Sequence, residues 1–434
     1  MTLFDDLYTL WTNYVDYSVV ENHAIKDIMF HVFLGTVLTH KGYRYMESGA
    51  RKSVRLHFFM IQDSGTGKSQ LMKAYHNLLV ALGIKARITV VDNEAALTGC
   101  VYLLPDKMYE KRKEEKKRAG EPTSEQDRVV TKKGLLSELL SLCWDEGSVL
   151  LQMSKFMVNI TNYFQCVMDE PGRVSKGMRL GTIEYYSDCT VIAGSYMFTD
   201  FKNTLLTKGF LQRMFLHYKK FTPQEKRNLR IGVNLLKRKK KPEDIRKLTD
   251  AIKVWVAKIP ELPEKTIQFD DKDIQEFNND LEEIYQKYID KAFTGEKQDV
   301  LETFNGRLHI LIDKIAAQRA IILGKSVVEK EDLDYAKGIC MKHVHSLIAI
   351  FNYLVGGTDV VSIPEHREAI LMNILTSRGG KLIQKDLLDE IHKLKKLGKW
   401  DLGWNGTLKL IDEMIAANKI KCDVGKQNRK MIYV

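Results

Sequence analysis

The stretch Gln62 to Ser69, QDSGTGKS, constrains the fold of this chain more than any other. It follows directly on the apolar run Leu56-His57-Phe58-Phe59-Met60-Ile61, and it leads into Gln70-Leu71-Met72-Lys73-Ala74-Tyr75, which reads as a helix. A buried strand, a glycine-rich turn and a helix in that order form a phosphate-binding loop. Gly65 and Gly67 let backbone N–H groups turn inward around phosphate oxygens. Lys68 offers a point charge to the β- and γ-phosphates, and the Ser69 hydroxyl is suited to Mg²⁺. Ser64, Gly65, Thr66, Gly67, Lys68, Ser69 and Gln70 are therefore the expected nucleotide contacts, facing the positive end of the helix. The usual pattern has glycine where this chain has Gln62.

The strand before the loop spans Val54 to Ile61. Further short apolar runs, Ala86 to Val91, Ser141 to Trp144 and Cys189 to Ala193, alternate with helical patterns. That alternation predicts an α/β core with a mainly parallel sheet. Residues 1–50 read as a helical segment, with Leu7, Leu10, Trp11, Tyr14 and Val15 on one stripe. Residues 51–222 hold the α/β core, and residues 223–355 are helical in pattern. Residues 362–434 read as three helices followed by two strand-like ends, the order of a winged helix. Lys107 to Lys133 is dense in charge and poor in apolar residues, which predicts a solvated helix or a mobile insertion.

Length and charge narrow the class. At 434 residues the chain has room for two to three domains, and its 44% hydrophobic content can build substantial cores. A formal net charge of +11 fits a polyanionic partner, with nucleic acid the first candidate. The six cysteines are scattered without a CxxC pair, which argues for reduced thiols and against a zinc site or a disulfide frame. Neither a membrane span nor a signal peptide is read, so a cytoplasmic protein is expected.

Four further stretches carry chemistry. Ser141-Leu142-Cys143-Trp144-Asp145-Glu146 is an apolar strand ending in two acids. Any strand-to-turn junction can end so; beside a phosphate loop, Asp145 would orient a Mg²⁺ shell and Glu146 would polarise the attacking water. Cys189 to Tyr196 is a strand ending in a small polar residue, and Ser195 is the candidate to hold that water. Arg213 stands alone among apolar neighbours in GFLQRMF, either as a surface ion-pair partner or as a guanidinium offered to a neighbouring subunit's nucleotide. Arg307 precedes the stripe Leu308, Leu311, Ile312, Ile315, at what reads as a helix start.

Together, QDSGTGKS, LCWDE, VIAGSY, GFLQRM and GRLHILIDKIAAQRA resemble the AAA+ ATPases, in particular the minichromosome-maintenance (MCM) helicase branch and the related motors of viruses, plasmids and mobile elements. The resemblance covers residues 50–220 and 300–434 at motif level. It implies a three-layer α/β/α P-loop core with a helical lid and a C-terminal winged helix. It also implies ATP and Mg²⁺ as cofactors, with Ser69 and Asp145 on the metal, and a hexameric ring with sites shared between subunits. Arg213 and Arg307 would then act on the next subunit's nucleotide. Two positions depart from the family: Gln62, and Ser195 where Asn is usual. The large N-terminal domain of cellular relatives has no counterpart, which suggests a compact replication motor of a mobile or viral element, in a prokaryotic host or infected cell, working with a separate primase or loader.

In that branch a hairpin before the third of these motifs reaches the DNA. Glu170 to Arg179 is the matching stretch, with Arg173, Lys176 and Arg179 as the cations to grip a single strand. Duplex DNA or a protein would dock on the winged helix. The function so implied is an ATP-dependent DNA helicase or translocase. The alternatives are an AAA+ initiator or loader without unwinding activity, and a nucleotide-gated DNA-binding switch with little turnover.

Overall fold

The structure, a computed structural model, describes residues 2–18, 23–89, 94–145, 160–170, 172–196, 209–239, 241–289, 296–354, 370–372, 374–396, 404–416, 419–424 and 430–433. The chain divides into two compact units, Met1–Ile350 and Phe351–Val434. The N-terminal helices, the five-stranded sheet and the helices between Pro223 and Ile322 belong to the first of them.

The first unit is α/β, built on a five-stranded, all-parallel sheet. Its strands in chain order are β1 (Phe58–Gln62), β2 (Ala86–Ile88), β3 (Ser141–Trp144), β4 (Thr190–Ser195) and β5 (Phe215–Lys219). In space the order is β5-β1-β4-β3-β2. The three central strands, β1, β4 and β3, are buried at every position, as a sheet covered on both faces demands. Continuous apolar runs made them legible in the sequence. By contrast β5 was not expected, because His217, Tyr218 and Lys219 break its apolar run.

The N-terminal segment is part of this core. In helix Leu3–Ser18, Leu7, Trp11, Tyr14 and Val15 of the expected stripe are buried, and Leu10 is half-buried. The helix packs on Pro242–Ala257 and on Lys68–Ala81, where the Tyr14 hydroxyl donates to the Ala74 carbonyl at 3.1 Å. Helix His23–His40 is apolar on nearly all sides and correspondingly buried. It lies so close to the chain at Val54 that a Cβ on Gly35 would stand 2.6 Å from the Val54 carbonyl oxygen. Thr36, on the same helix, bonds the Tyr75 hydroxyl at 3.0 Å and Thr190 Oγ1 at 2.9 Å, and Tyr75 also bonds Ser141 Oγ at 3.0 Å. This buried network ties the helix after the phosphate loop to the first residues of β3 and β4.

A second, four-stranded sheet was not anticipated. It pairs Arg44–Glu47 with Ala50–Ser53, and in parallel with Thr266–Phe269, which in turn pairs with Val327–Val328. Two hairpins project from the core. One pairs Gly99–Leu103 with Val129–Lys133 and carries helix Asp106–Arg118, which has no buried residue, so the charged stretch is a solvated helix on a two-stranded stem. The other pairs Arg173–Met178 with Gly181–Tyr186.

The second unit contains helices Gln384–Lys396 and Trp404–Ala416 and a three-stranded antiparallel sheet. Its strands are Lys381–Ile383, Lys430–Tyr433 and Lys421–Val424, in that spatial order. Leu371, Leu375, Leu387, Ile391, Ile411 and Ile432 build its core. The first of these strands was missed; three residues are too short for a period-two signal.

Candidate functional site: a phosphate-loop cleft and an arginine pair

Parallel strands bring their C-terminal ends to one edge, and there the phosphate-loop residues, Asp145 and Ser195 converge. Ser195 pairs with Ile61, and Ala193 pairs with Trp144. This register sets the ends of β1, β4 and β3 side by side, so β4 stands between the phosphate loop and Asp145. The crevice at the carboxyl ends of such strands is where open α/β sheets bind ligands. Here it is a cleft of about 270 Å³ lined by Ser64 to Gln70, Asp145, Gly194, Ser195 and Tyr196.

Loop geometry explains both glycines and the departure at Gln62. Gly65 and Gly67 have φ of +74° and +91°, values that L side chains strain to adopt. Gly67 is the N-cap of helix Lys68–Ala81, so the helix presents its N-terminus to the cleft. Gln62 is the last residue of β1, with no positive φ, so a side chain is tolerated there. Its Oε1 accepts the Thr66 hydroxyl at 3.3 Å, which also donates to the Asp63 carbonyl at 2.8 Å. Lys68 Nζ donates to the carbonyls of Gln62 and Asp63 at 2.7 and 2.9 Å, across the base of the loop. The loop is tied from outside as well. Asp63 pairs with Lys226 at 2.8 Å and accepts the Phe221 N–H at 3.2 Å. Those contacts hold its carboxyl below the usual range against the opposing effect of burial.

Opposite the loop, the Ser69 hydroxyl donates to Asp145 Oδ1 at 2.6 Å. A hydroxyl and a carboxylate side by side at a phosphate loop are hard oxygen donors, suited to a Mg²⁺ that completes its shell with water and phosphate oxygens. Among the described residues no group of three or more His, Cys, Asp or Glu could hold a metal. Ser195 is buried at the end of β4 and donates to the Tyr196 carbonyl at 2.9 Å. Glu146 lies outside the described residues. Sequence reasoning missed Gly194 and Tyr196. Gly194 carries a usable signal, a glycine inside a strand at a point of close approach: its added Cβ would sit 3.0 Å from Met72 Cε and 3.8 Å from Lys68 Cβ.

The two arginines form a second locus. Arg213 closes the 3₁₀ turn Leu211–Arg213, held by the buried side chains of Phe210, Leu211 and Met214. Its Nε and Nη2 donate to the two carboxylate oxygens of Asp169 at 2.6 and 2.8 Å, and Nη1 donates to the Gly209 carbonyl at 2.7 Å. Arg307 Nη1 lies 3.6 Å from the same carboxylate. Burial and the neighbouring Arg213 guanidinium lower the pKa of Arg307, opposed by Asp169. Arg307 is not at a helix start, as the sequence suggested. Its helix spans Glu296–Ile322 and runs through Gly306, whose propensity cost of about 1 kcal/mol is absorbed by the packing of Leu301, Phe304 and Leu308. Neither arginine is among the residues that line the cleft.

The three hairpin cations are not brought together as one set. Arg173 is exposed and paired with Glu184. Lys176 is turned inward, bonded to Glu94 at 2.8 Å and to Thr98 Oγ1 at 3.1 Å, because period-two alternation points it at the neighbouring helix. Arg179 occupies the exposed two-residue turn with Leu180. Among the described residues no helix is long and apolar enough to cross a membrane. No family model matches the chain, and no curated protein matches it.

Proposed function

We propose that this chain is an ATP-driven, ring-forming DNA translocase or helicase of the AAA+ type. The observation that carries the reading is the Ser69–Asp145 contact at the mouth of a phosphate loop, in a sheet whose β4 separates loop from acid. In this reading the attacking water would sit between the γ-phosphate and Glu146, which follows Asp145 in the chain. A bound Mg²⁺ would neutralise phosphate charge there. Lys68 would leave the two loop carbonyls for phosphate oxygens, and the N-terminus of helix Lys68–Ala81 would add its partial positive charge.

The lining of the cleft supports a shared site. Among the described residues that line it the cationic side chain is Lys68, whereas phosphoryl transfer gains most from an arginine directed at the γ-phosphate. Arg213 and Arg307 stand together outside that lining, as a pair offered to a neighbouring copy should. The order helix–strand–helix–helix–strand–strand in the second unit fits a winged helix, a module suited to duplex phosphate or to a protein partner. The net charge of +11 and the exposed turn at Arg179 favour DNA as the track.

Steady-state ATP hydrolysis with and without single-stranded DNA tests this reading, together with strand displacement on a forked duplex. Hydrolysis that DNA stimulates and that Glu146→Gln abolishes is expected. Absence of turnover in the natural protein, with no effect of Glu146→Gln, would overturn it. Turnover without strand displacement would favour an initiator or loader.

A further inference from the structure

Asp169 is not among the residues that line the cleft, yet it gathers both arginines. Its carboxylate takes Arg213 in a two-point contact that fixes the guanidinium plane, and the third nitrogen is fixed by the Gly209 carbonyl. The backbone there is shaped for this contact. Gly209 has φ +75°, and a Cβ on it would stand 2.7 Å from Arg213 Nη1. The turn that bears Arg213 is also bonded to the helix that bears Arg307: Gln212 Nε2 donates to Thr303 Oγ1 at 2.7 Å. Thr303 lies one helical turn before Arg307, on the same face. One acid and two arginines leave the group with one net positive charge, and Asp169 and Arg307 are both partly open to solvent.

The position of Asp169 is fixed from its other side. It lies between helix Ile160–Met168 and the hairpin that begins at Arg173. Fully buried Arg55 clamps both roots of that hairpin, donating to the carbonyls of Val167 and Ser187 at 2.6 and 2.8 Å and pairing with Glu170 at 3.4 Å. Gly172 lies against the returning strand so closely that a Cβ would meet the Ser187 carbonyl at 2.3 Å. The acid is thus set by the rigid base of the hairpin.

We propose that Asp169 is a positioning residue: it overcomes the mutual repulsion of Arg213 and Arg307 and presents them as one rigid arginine pair to the triphosphate of a neighbouring copy of this chain. The inference rests on the shared-site reading above. Because Asp169 acts only through the arginines, its loss should disable the arginine side of a subunit and spare the cleft side.

Mixing experiments separate these sides. Asp169→Ala and Asp169→Asn alone should bind an ATP analogue as the natural protein does. Their kcat should fall by roughly 100-fold, the scale for a catalytic group displaced by about 1 Å. Mixed with Lys68→Ala subunits, which keep their arginines and lose their own cleft, Asp169→Ala should regain hydrolysis. Mixed with Arg213→Ala subunits it should not, because both lack the same side. Natural kcat in both Asp169 variants would overturn the proposal, as would failure of a nucleotide-binding Asp169→Asn to complement Lys68→Ala when Arg213→Ala does so. Complementation by neither variant would instead overturn the shared site itself.

Discussion

The Ser69 hydroxyl donates a 2.6 Å hydrogen bond to Oδ1 of Asp145, joining the first turn of the helix after the phosphate loop to the end of β3. A cation held between them would lose one of its two protein ligands in either Ser69→Ala or Asp145→Asn. Each substitution should slow hydrolysis by roughly 100-fold or more, on the several-kcal/mol scale of metal-assisted catalysis. Each should also raise the Mg²⁺ concentration needed for half-maximal rate. A magnesium titration of the steady-state rate checks both.

Arg213 stands apart from the cleft lining, so Arg213→Ala should leave nucleotide affinity close to that of the natural protein. Turnover should fall by ~10³-fold, the lower range for an arginine supplied across an interface. Equilibrium binding of a fluorescent ATP analogue, set beside the hydrolysis rate, separates the two effects. Equal loss of both would place Arg213 in its own subunit's site.

Gly194 lies at the end of β4 with Met72 Cε and Lys68 Cβ on its open side. An alanine methyl can be met by a shift of the flexible Met72 tip. The bulk of Gly194→Val reaches toward Lys68 and fills part of a cleft of about 270 Å³. Gly194→Val should weaken nucleotide binding by roughly tenfold or more, while Gly194→Ala stays within about 1 kcal/mol of the natural affinity. Calorimetric titration of both variants tests the contrast.

The hairpin cations should divide by environment. Arg179→Ala removes a charge from an exposed turn; DNA stimulation of hydrolysis should weaken and its salt dependence should flatten by about one counterion, with stability unchanged within ~0.5 kcal/mol. Lys176→Ala strands Glu94, a largely shielded partner, and should cost about 1–3 kcal/mol of stability. Denaturant melts and DNA-dependent rates at two salt concentrations give both answers.

Acid should unfold the first unit early. Burial holds His31 and His217 down to about 4, His343 to about 3, and His57 well below its ordinary value. Two of these rings accept backbone N–H groups through Nδ1: His57 from Val191 at 3.1 Å and His343 from Leu216 at 2.8 Å. A depressed folded pKa in a base means that the unfolded chain binds more protons as pH falls. The stabilisation is therefore complete above about 6.5 and is lost from about 6.5 down to about 3. Asp313, which burial raises to about 7, works in the opposite sense and offsets part of the loss. Thermal melts across this window should show a steep fall. His343→Ala, which strands the Leu216 N–H, should remove about 1–3 kcal/mol at neutral pH and make the fall shallower.

Local signals carried much of this molecule. Gly65, Gly67, Lys68 and Ser69 could be read because the loop is contiguous and its glycines answer a backbone requirement. The burial of β3 and β4 was legible from unbroken apolar runs. The pairing of Arg44 with Thr266 was not, since no periodicity inside either short strand names its partner. Asp169 was invisible for a related reason. An acid after a helix reads as an ordinary solvated residue until the fold brings Arg213 and Arg307 to it. Lys176 was assigned to the DNA by its neighbours in sequence, whereas strand alternation turned it toward Glu94.

The buried amide of Gln318 bonds His31 on one side and the Val54 carbonyl on the other, the latter 264 positions away in the chain. This seam dictates an order of events during synthesis. At roughly 5–20 residues per second, on the order of tens of seconds separate the emergence of the two ends from the ribosome. Throughout that interval Trp11, Phe30 and Phe33, all without solvent exposure in the finished fold, lack the helices Pro242–Ala257 and Glu296–Ile322 that help enclose them. The nascent chain passes that time with these apolar faces not yet covered by their partner helices.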